Sequence, residues 1–498
     1  MEDKIYPLNF PPGIQRDGTK LAARTWSDGQ WIRFQRGLPQ KMGGYVQIGS
    51  STEITRGTYV TSDFPNFNVY YGTASQLNYI TIDQFGNHIA GPVNRTPVPF
   101  QADANNDWQF DNMFSTVDNG GILIAFAAPN LAGINSDIER PIYFGELNAA
   151  ATLQPTGNFC SGGIAVFHPF LFFFGNDGDV AWTNANDPTT IMGSARITAS
   201  KICFGLSVRG GNTSPAGLLW SLDSLIRVTN VGINEVEFKF DTVTSESSLL
   251  SSRGIIEFDG IYYWAAVDRF LFYNGIVQEL PNDSCLNYFF RNINYAQRQK
   301  CWATKITQYG EIIWFAPFGN ATEVTNYVKY NIRERCWDSG TIGRSDGYFD
   351  QVFAKPIWAD NNPTAGTFPL WVHESGYDQV FLDGTTNPIL SSITTPFISW
   401  LTTGPNAQRN ELSRWVDLYR VEPDMIQTGT MNLIVGGTEY ARSVPYTSPP
   451  YSYLSNTVKI DLREQQREMT LTFQSDDIGG YFEMGQSLIV GRIGDLRE

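Results

Sequence analysis

The sequence predicts an all-β protein, with a β-propeller of six or seven blades, a C-terminal β-sandwich and an extended N-terminal arm. The chain of 498 residues is 14% aromatic and only 17% charged, and aromatic and β-branched residues favour pleated, half-buried surfaces. Its 46 glycines and 26 prolines supply many turns. Apolar runs with helical spacing do not exceed about three turns, so we expect little helix.

The clearest repeat lies at 254–343, where two similar units follow each other. Each unit contains an alternating apolar run, a turn (Asp259-Gly260 or Tyr309-Gly310), an aromatic run and a strand that ends in Tyr-Asn. A more charged outer strand follows at 276–280 and 332–337. Alternation indicates half-buried strands, and glycine accepts the positive φ of a two-residue turn. Four-stranded units about 50 residues apart are typical of consecutive propeller blades.

Similar strand clusters recur through 51–387, which we predict to be the propeller. Beside the pair at 254–343, they lie at 55–93, 108–147, 162–191, 217–243 and 352–378. A stretch rich in Pro, Ser and Thr at 388–396 is predicted to be a linker. Residues 397–498 are predicted to form the β-sandwich, because several of their segments alternate between apolar and polar residues. Those segments are 414–422, 429–437, 456–462, 468–476 and 485–493.

Residues 1–50 are predicted to form an extended segment that docks on another subunit. The region is locally basic in an acidic chain, and aromatic residues are interleaved with its basic residues. Aromatic and arginine side chains dominate the energetics of many protein interfaces. The alternative is that the segment packs on the chain's own propeller, and the sequence leaves both interpretations open. The candidate docking residues are Arg16, Arg24, Trp26, Trp31, Arg33, Phe34 and Arg36.

Charge, hydropathy and cysteine spacing exclude several classes of protein. The net charge of −15 argues against a protein that wraps nucleic acid, because that contact needs clustered lysine and arginine. The most apolar stretch, 164–175, is too short to span a bilayer, and the N-terminus lacks the apolar core of a secretory signal. We therefore expect no membrane insertion. Five widely spaced cysteines without a CxxC motif predict neither a disulfide framework nor a zinc site.

The sequence predicts no catalytic residue, metal site or cofactor, so we expect the protein not to be an enzyme. The phosphate-binding loop and the dinucleotide fingerprint are absent from the sequence. Glycoside hydrolysis would need a pair of facing carboxylates. The strongest candidates are expected to be solvated at hairpin tips or strand ends; they are Glu257, Asp259, Asp268 and Glu311. His168 lies between apolar residues and is expected to be buried.

Three parts of the chain resemble one protein family. The segments PPGIQRDGTK and RTWSDGQWIRFQRGLPQKMGGY resemble the start of tail proteins from short-tailed double-stranded-DNA bacteriophages. HPFLFFFGNDGDVAW, RGIIEFDGIYYWAAVDRFLFYNGIVQEL and YNIRERCWDSG resemble the propeller of their tail hub or nozzle proteins, also called packaged-DNA stabilisation proteins. MTLTFQSDDIGGYFEMGQSLIVGRIGD is similar to the terminal sandwich strands of the same group.

This resemblance implies a structural virion protein, assembled in the host cytoplasm and located in the tail. Such a protein forms a homo-hexamer below the portal and the adaptor (head–tail connector) protein. It extends the DNA channel, helps to retain packaged DNA and anchors tailspikes or fibres, and it is a candidate attachment point for a tail needle. Double-stranded DNA would pass without sequence-specific contact, which suits an acidic chain. Two alternatives remain: a glycan-binding fibre or adhesin, which predicts a trimer, and a glycan-cleaving propeller enzyme, which requires an acid pair.

Overall fold

The fold is all-β, as predicted. The computed structural model describes residues 4–19, 23–96, 107–127, 141–146, 152–155, 160–208, 216–233, 236–350, 352–398, 414–440 and 443–496. With 57% strand and 5% helix, the chain folds into antiparallel sheets, and these divide into a propeller and a C-terminal β-sandwich.

Within the described residues the propeller has seven sheets, which we call blades 1 to 7 in chain order. Blades 1 and 2 consist of β6 (Gly57–Asp63), β7 (Asn66–Gly72), β8 (Leu77–Ile82), β9 (His88–Asn94), β10 (Trp108–Ser115), β11 (Gly120–Ala127), β12 (Pro141–Glu146) and β13 (Thr152–Pro155). Blades 3 and 4 consist of β14 (Gly163–Phe167), β15 (Phe170–Phe174), β16 (Asp179–Asn184), β17 (Asp187–Arg196), β18 (Ile202–Ser207), β19 (Gly217–Ser221), β20 (Leu225–Ile233) and β21 (Val236–Thr244).

The predicted tandem repeat forms blades 5 and 6. Their strands are β22 (Ile255–Phe258), β23 (Ile261–Ala265), β24 (Phe270–Tyr273), β25 (Val277–Glu279), β26 (Trp302–Ile306), β27 (Glu311–Ala316), β28 (Asn326–Asn331) and β29 (Cys336–Thr341). A turn at 332–335 precedes β29, so the outer strand of blade 6 begins later than predicted. Helix α1 (Leu286–Asn292) and a 3-10 turn (Tyr295–Lys300) connect the two blades. No helix among the described residues is long and apolar enough to cross a membrane.

Blade 7 is completed by a strand from the other end of the propeller sequence. Its strands are β30 (Arg344–Tyr348), β31 (Ile357–Asp360), β32 (Phe368–His373), β5 (Tyr45–Ser51), β33 (Asp378–Val380) and β34 (Thr386–Pro388). β5 pairs antiparallel with β32 in an unbroken run except for one bulge. Because this pairing joins the beginning of the propeller to its end, opening the ring requires breaking it.

Apolar clusters between neighbouring blades close the ring. Each adjacent pair of blades, from blades 1 and 2 to blades 6 and 7, shares a buried cluster. A further cluster joins blade 7 to blade 1 and contains Ile48 of β5, Val60 of β6 and Ile357 of β31. The described residues therefore form a closed seven-bladed propeller, within the predicted range of six or seven blades.

Three sheets that share one apolar core form the β-sandwich. The first contains β1 (Lys4–Pro7), β44 (Leu488–Leu496), β36 (Arg414–Glu422) and β41 (Ile460–Gln466). The second contains β2 (Asp28–Gln30), β35 (Ser391–Thr394), β42 (Glu468–Ser475), β38 (Met431–Thr438), β39 (Tyr446–Thr447) and β40 (Tyr451–Tyr453). The third contains β3 (Ile32–Gln35), β4 (Leu38–Lys41), β43 (Tyr481–Met484) and β37 (Met425–Thr428).

The domain boundaries differ from the predicted ones. Residues 1–50 are not a separate arm, because β1–β4 belong to the sandwich sheets and β5 belongs to blade 7. The predicted linker at 388–396 contains β35, which pairs with β2 and β42 inside the sandwich. Both differences have one cause: short N-terminal strands find their partners several hundred residues away, and local sequence does not encode such pairing.

One histidine deviates from its predicted environment. His168 lies exposed at the turn between β14 and β15 rather than in the core. His373 is the histidine that is buried, packed against Trp358 with a ring-centroid distance of 3.9 Å. Four of the five cysteines are buried free thiols, and Cys203 is half-buried.

The closure of the ring can be tested with one substitution in β5. Ile48 is fully buried between blades 7 and 1, so Ile48→Ala should lower the free energy of unfolding by about 2–5 kcal/mol. The matched control is Ile89→Ala in β9, where the side chain is 53% exposed, and it should change stability by less than about 0.5 kcal/mol. Denaturant unfolding of both variants gives the measurement, and equal effects would contradict the proposed role of β5.

Candidate functional site

Four of the seven predicted docking residues are buried inside their own chain. Trp26, Trp31, Arg33 and Phe34 have exposed fractions of 2% or less. Trp26 and Phe34 belong to the core of the sandwich, whereas Trp31 belongs to the cluster between blades 6 and 7. The prediction that these four side chains contact another subunit is therefore wrong. The alternative, packing of the segment on its own chain, describes them correctly.

Arg33 forms the centre of a buried ion-pair network between the sandwich and the propeller. Its guanidinium donates two hydrogen bonds to the carboxylate of Glu374, at 2.8 and 2.6 Å, and one to Glu311 at 3.1 Å. The guanidinium also lies over the ring of Tyr309, 3.6 Å from its centroid. β3 of the sandwich is thus attached to the first residue of β27 in blade 6 and to the loop after β32 in blade 7.

Two further charges complete this network, which we call the junction cluster (Arg33, Glu311, Lys329, Asp338 and Glu374). The ammonium of Lys329 donates to Glu311 at 2.9 Å and to the backbone carbonyl of Ile32 at 2.9 Å. It lies 3.4 Å from Asp338, whose two carboxylate oxygens are buried and accept no hydrogen bond from the residues that the structure describes. Burial, together with the nearby Glu311, raises the pKa of Asp338 to about 7 although Lys329 opposes the shift. With Asp338 protonated, two cations balance two carboxylates.

The three remaining docking candidates are at least partly accessible. Arg16 is ion-paired with Asp28 at 2.6 Å and donates to Ser339 of blade 6 at 2.8 Å. Arg24 is exposed. The Arg36 side chain is 82% exposed and lies 3.2 Å from Glu483. Within the predicted set, Arg24 and Arg36 are the arginines most available to a partner.

The centre of the propeller encloses a second candidate site. A cavity of about 290 Å³ is lined by residues from the first strand of every blade or beside it. Neighbouring first strands begin at the same end of the ring, since Trp108 donates to the carbonyl of Arg56 and Ala303 donates to the carbonyl of Arg253. The cavity therefore has one mouth at the starts of these strands and another at their ends.

An arginine crosses the mouth at the strand starts. The guanidinium of Arg253, which precedes blade 5, is ion-paired with Asp346 of blade 7. It also donates to the carbonyl of Arg56, which precedes blade 1, at 3.1 Å. Asp346 accepts a further hydrogen bond from Thr58 at 2.8 Å. These contacts link the start of blade 5 directly to blades 7 and 1, so the Arg253 side chain obstructs this mouth of the cavity.

Aromatic and acidic side chains line the rest of the cavity, which we call the hub pocket (Tyr59, Phe110, Asp111, Tyr348 and Asp350). The ring of Tyr59 stacks on Phe110 at 5.9 Å and lies 5.1 Å from the ring of Tyr348. Asp111 accepts a hydrogen bond from the backbone of Val166 at 2.8 Å. Asp350 accepts one from the hydroxyl of Tyr348 at 3.2 Å. Burial, together with the Asp350 carboxylate, raises the pKa of Asp111 to about 6 although backbone hydrogen bonds oppose the shift.

The carboxylates that the sequence offered as candidate acids lie in different places. Glu311 is fully buried in the junction cluster, so the prediction that it is solvated is wrong. Glu257 is ion-paired with Lys305 at 3.0 Å on the wall of the hub cavity. Asp268 is 62% exposed and paired with Arg269, and Asp259 lies in the exposed turn of blade 5. Sequence spacing gave no signal for Asp111 and Asp350, because the ring brings them together from blades 2 and 7.

The described residues contain no group of three or more His, Cys, Asp or Glu side chains that could hold a metal ion. No protein-family model matches the chain, and no curated protein matches it.

Solved structures similar to the chain include several at low identity. An exo-β-1,3-galactanase from Phanerochaete chrysosporium is 10% identical with a TM-score of 0.27, covering 91% of this chain and 100% of that one. YCF48 bound to the D1 peptide is 11% identical with a TM-score of 0.40, covering 68% and 97%. A 6-phosphogluconolactonase-like protein from Bacteroides uniformis is 9% identical with a TM-score of 0.36, covering 66% and 98%. Likenesses this weak say nothing about function, and the propeller assignment rests on the sheets and clusters described above.

The junction cluster predicts unequal effects for two neighbouring arginines. Arg33→Met should lower stability by about 3–5 kcal/mol, because it removes the cation paired with Glu374 and one of the two cations paired with the buried Glu311. Arg36→Met, the control in the same hairpin, removes only an exposed ion pair and should cost less than about 1 kcal/mol. Denaturant unfolding compares the two variants. Similar losses would show that Arg33 does not hold the domains together.

The raised pKa of Asp338 predicts that the stability of the protein falls as the pH rises. Its pKa is about 7 in the folded chain and about 4 when unfolded, so between these values the folded chain retains a proton that the unfolded chain has lost. Stability should therefore fall as the pH rises through this window, by about 1.4 kcal/mol per pH unit from this group. Asp338→Asn should make the decline shallower by that amount. The exposed Asp461→Asn is the control, and an unchanged slope in Asp338→Asn would contradict the assignment.

Proposed function

We propose that the protein is a structural subunit of a short bacteriophage tail, in the position of the nozzle or hub below the adaptor. One observation carries this proposal: the first 51 residues fasten the two domains together and also close the propeller. The same residues include one of the segments that resemble the tail proteins. Each subunit is thereby a single stiff body, which suits a part that bears mechanical load.

Two kinds of contact make the connection between the domains stiff. β1–β4 contribute strands to all three sandwich sheets, and β5 follows them into blade 7. Between these strands lies the junction cluster, in which Arg33 of the sandwich is ion-paired with Glu311 and Glu374 of the propeller. Buried charges of this kind are stable only when all partners are in place. A small rotation between the domains would leave them unpaired and is therefore costly.

The hub pocket does not serve as a channel for DNA. Its cavity has a volume of only about 290 Å³, and the Arg253 side chain obstructs one end. A duplex does not fit into this space, because its major groove alone is about 12 Å wide. A DNA channel therefore has to lie between several copies of the chain, around the axis of the proposed homo-hexamer. The net charge of −15 would keep a duplex from sticking to the walls of such a channel.

The proposal also covers the partners of the subunit and its place in the virion. Arg24 and Arg36 are exposed on the sandwich side, and they are the residues of the predicted set that we assign to contact with the adaptor. The outer surfaces of the blades are available for tailspikes or fibres. The proposed role is mechanical rather than enzymatic, and its place is the virion tail after assembly in the host cytoplasm.

The oligomeric state tests the proposal directly. We expect the purified full chain, alone or with the adaptor, to form closed six-fold rings that enclose a central channel wide enough for a duplex. Native mass spectrometry gives the copy number, and electron microscopy gives the symmetry and the channel. Three-fold assemblies would instead favour the glycan-binding fibre or adhesin. A chain that stays monomeric both alone and with the adaptor would overturn the proposal.

A further inference from the structure

The hub pocket has the chemical character of a binding site rather than of a packed core. Its three rings, Tyr59, Phe110 and Tyr348, line a cavity of about 290 Å³ that remains open. The ring of Tyr59 contacts the rings of Phe110 and Tyr348, so the three rings form one continuous aromatic wall. An aromatic face attracts cations through its quadrupole, and the attraction grows when the cation is shielded from water.

The carboxylate of Asp111 adds negative charge to this wall. Its recorded hydrogen bonds come from the backbone amides of Val166 and Asn112. The influences on its pKa are burial, those two amides and the carboxylate of Asp350, and none of them is a cation. A positive charge bound in the pocket would pair with the Asp111 carboxylate and stabilise its ionised form.

The cations on the cavity wall are committed to other acids. Lys305 donates to the carboxylate of Glu257 at 3.0 Å and to its backbone carbonyl at 2.7 Å. Arg253 is ion-paired with Asp346. Neither of these two cations of the described cavity wall is therefore paired with Asp111.

We propose that the hub pocket binds an organic cation that carries an ammonium or guanidinium group. Tyr59 and Tyr348 contact the cation through their rings, and Asp111 accepts its hydrogen bonds. The volume suits a single side chain or a short polyamine better than a larger molecule, because drug-sized ligands occupy about 300–1,000 Å³. The inference does not depend on the proposed tail function.

Two sources supply this chemistry: a free polyamine, and an arginine or lysine side chain of a partner protein. Isothermal titration calorimetry of the full chain distinguishes them with three probes. Spermidine represents the polyamine, the capped tripeptide Gly-Arg-Gly represents the side chain, and the same peptide with citrulline replaces the guanidinium by a neutral group of nearly the same shape. We expect one saturable site per chain for spermidine or for the arginine peptide, and at least tenfold weaker binding of the citrulline peptide.

Matched variants locate the binding in the pocket. Asp111→Asn should weaken binding about tenfold or more, since it removes a charge-assisted hydrogen bond of about 1.5–3 kcal/mol. It keeps an oxygen that can accept from Val166. Asp461→Asn removes one remote, exposed carboxylate and should leave binding unchanged. Tyr59→Phe keeps the ring and should bind almost normally, whereas Tyr59→Leu should bind roughly fivefold more weakly.

Several results would overturn the proposal. They are the absence of binding by both cationic probes, equal binding of the arginine and citrulline peptides, and equal losses in Asp111→Asn and Asp461→Asn. If Asp111→Asn does not fold, as judged by circular dichroism, the two Tyr59 variants carry the test. Indistinguishable affinities of Tyr59→Phe and Tyr59→Leu would then contradict a cation site on this ring.

Discussion

The structure depends on the pairing of β5 with β32. A propeller of four-stranded blades leaves two ends that have to meet, and an unpaired edge in this position would expose backbone groups and apolar side chains. Here the strand that closes blade 7 comes from residues 45–51, before the first blade begins. Closure therefore joins the first and the last parts of the propeller, and the apolar cluster around Ile48 seals the contact between blades 7 and 1.

The same N-terminal segment explains why the two domains behave as one body. Before it reaches β5, the chain contributes β1–β4 to the sandwich, so both domains are complete only when residues 4–51 are in place. The junction cluster lies where these two roles meet. Arg33, Glu311, Lys329 and Asp338 are almost completely buried, which makes the contact depend on geometry more than an apolar contact would. The burial of Trp26, Trp31 and Phe34 follows from this arrangement, because these side chains form the apolar contacts by which the N-terminal segment packs on the two domains.

The hub shows how a ring can create a site that no local segment contains. The first strand of every blade contributes residues to the cavity wall. Asp111 and Asp350 come from blades 2 and 7, and the rings of Tyr59, Phe110 and Tyr348 come from three different blades. Arg253 obstructs the mouth at the strand starts, so the two ends of the cavity differ. The result is a small acidic and aromatic pocket at the centre of a body whose other buried charges are mostly paired.

The sequence by itself determined the all-β class, the blade-like repeat at 254–343 and most strands of the sandwich. These features depend on alternation and on turns such as Asp259-Gly260, and both are local properties of the chain. Only the tertiary structure decided the pairing of β5 with β32, the use of β1–β4 in the sandwich and the burial of Arg33 and Glu311. These outcomes join residues about 280 to 480 positions apart. Alternation fixes which face of a strand is apolar but not which strand lies beside it, so an arginine or glutamate that is buried by a distant partner looks the same in sequence as one exposed to water.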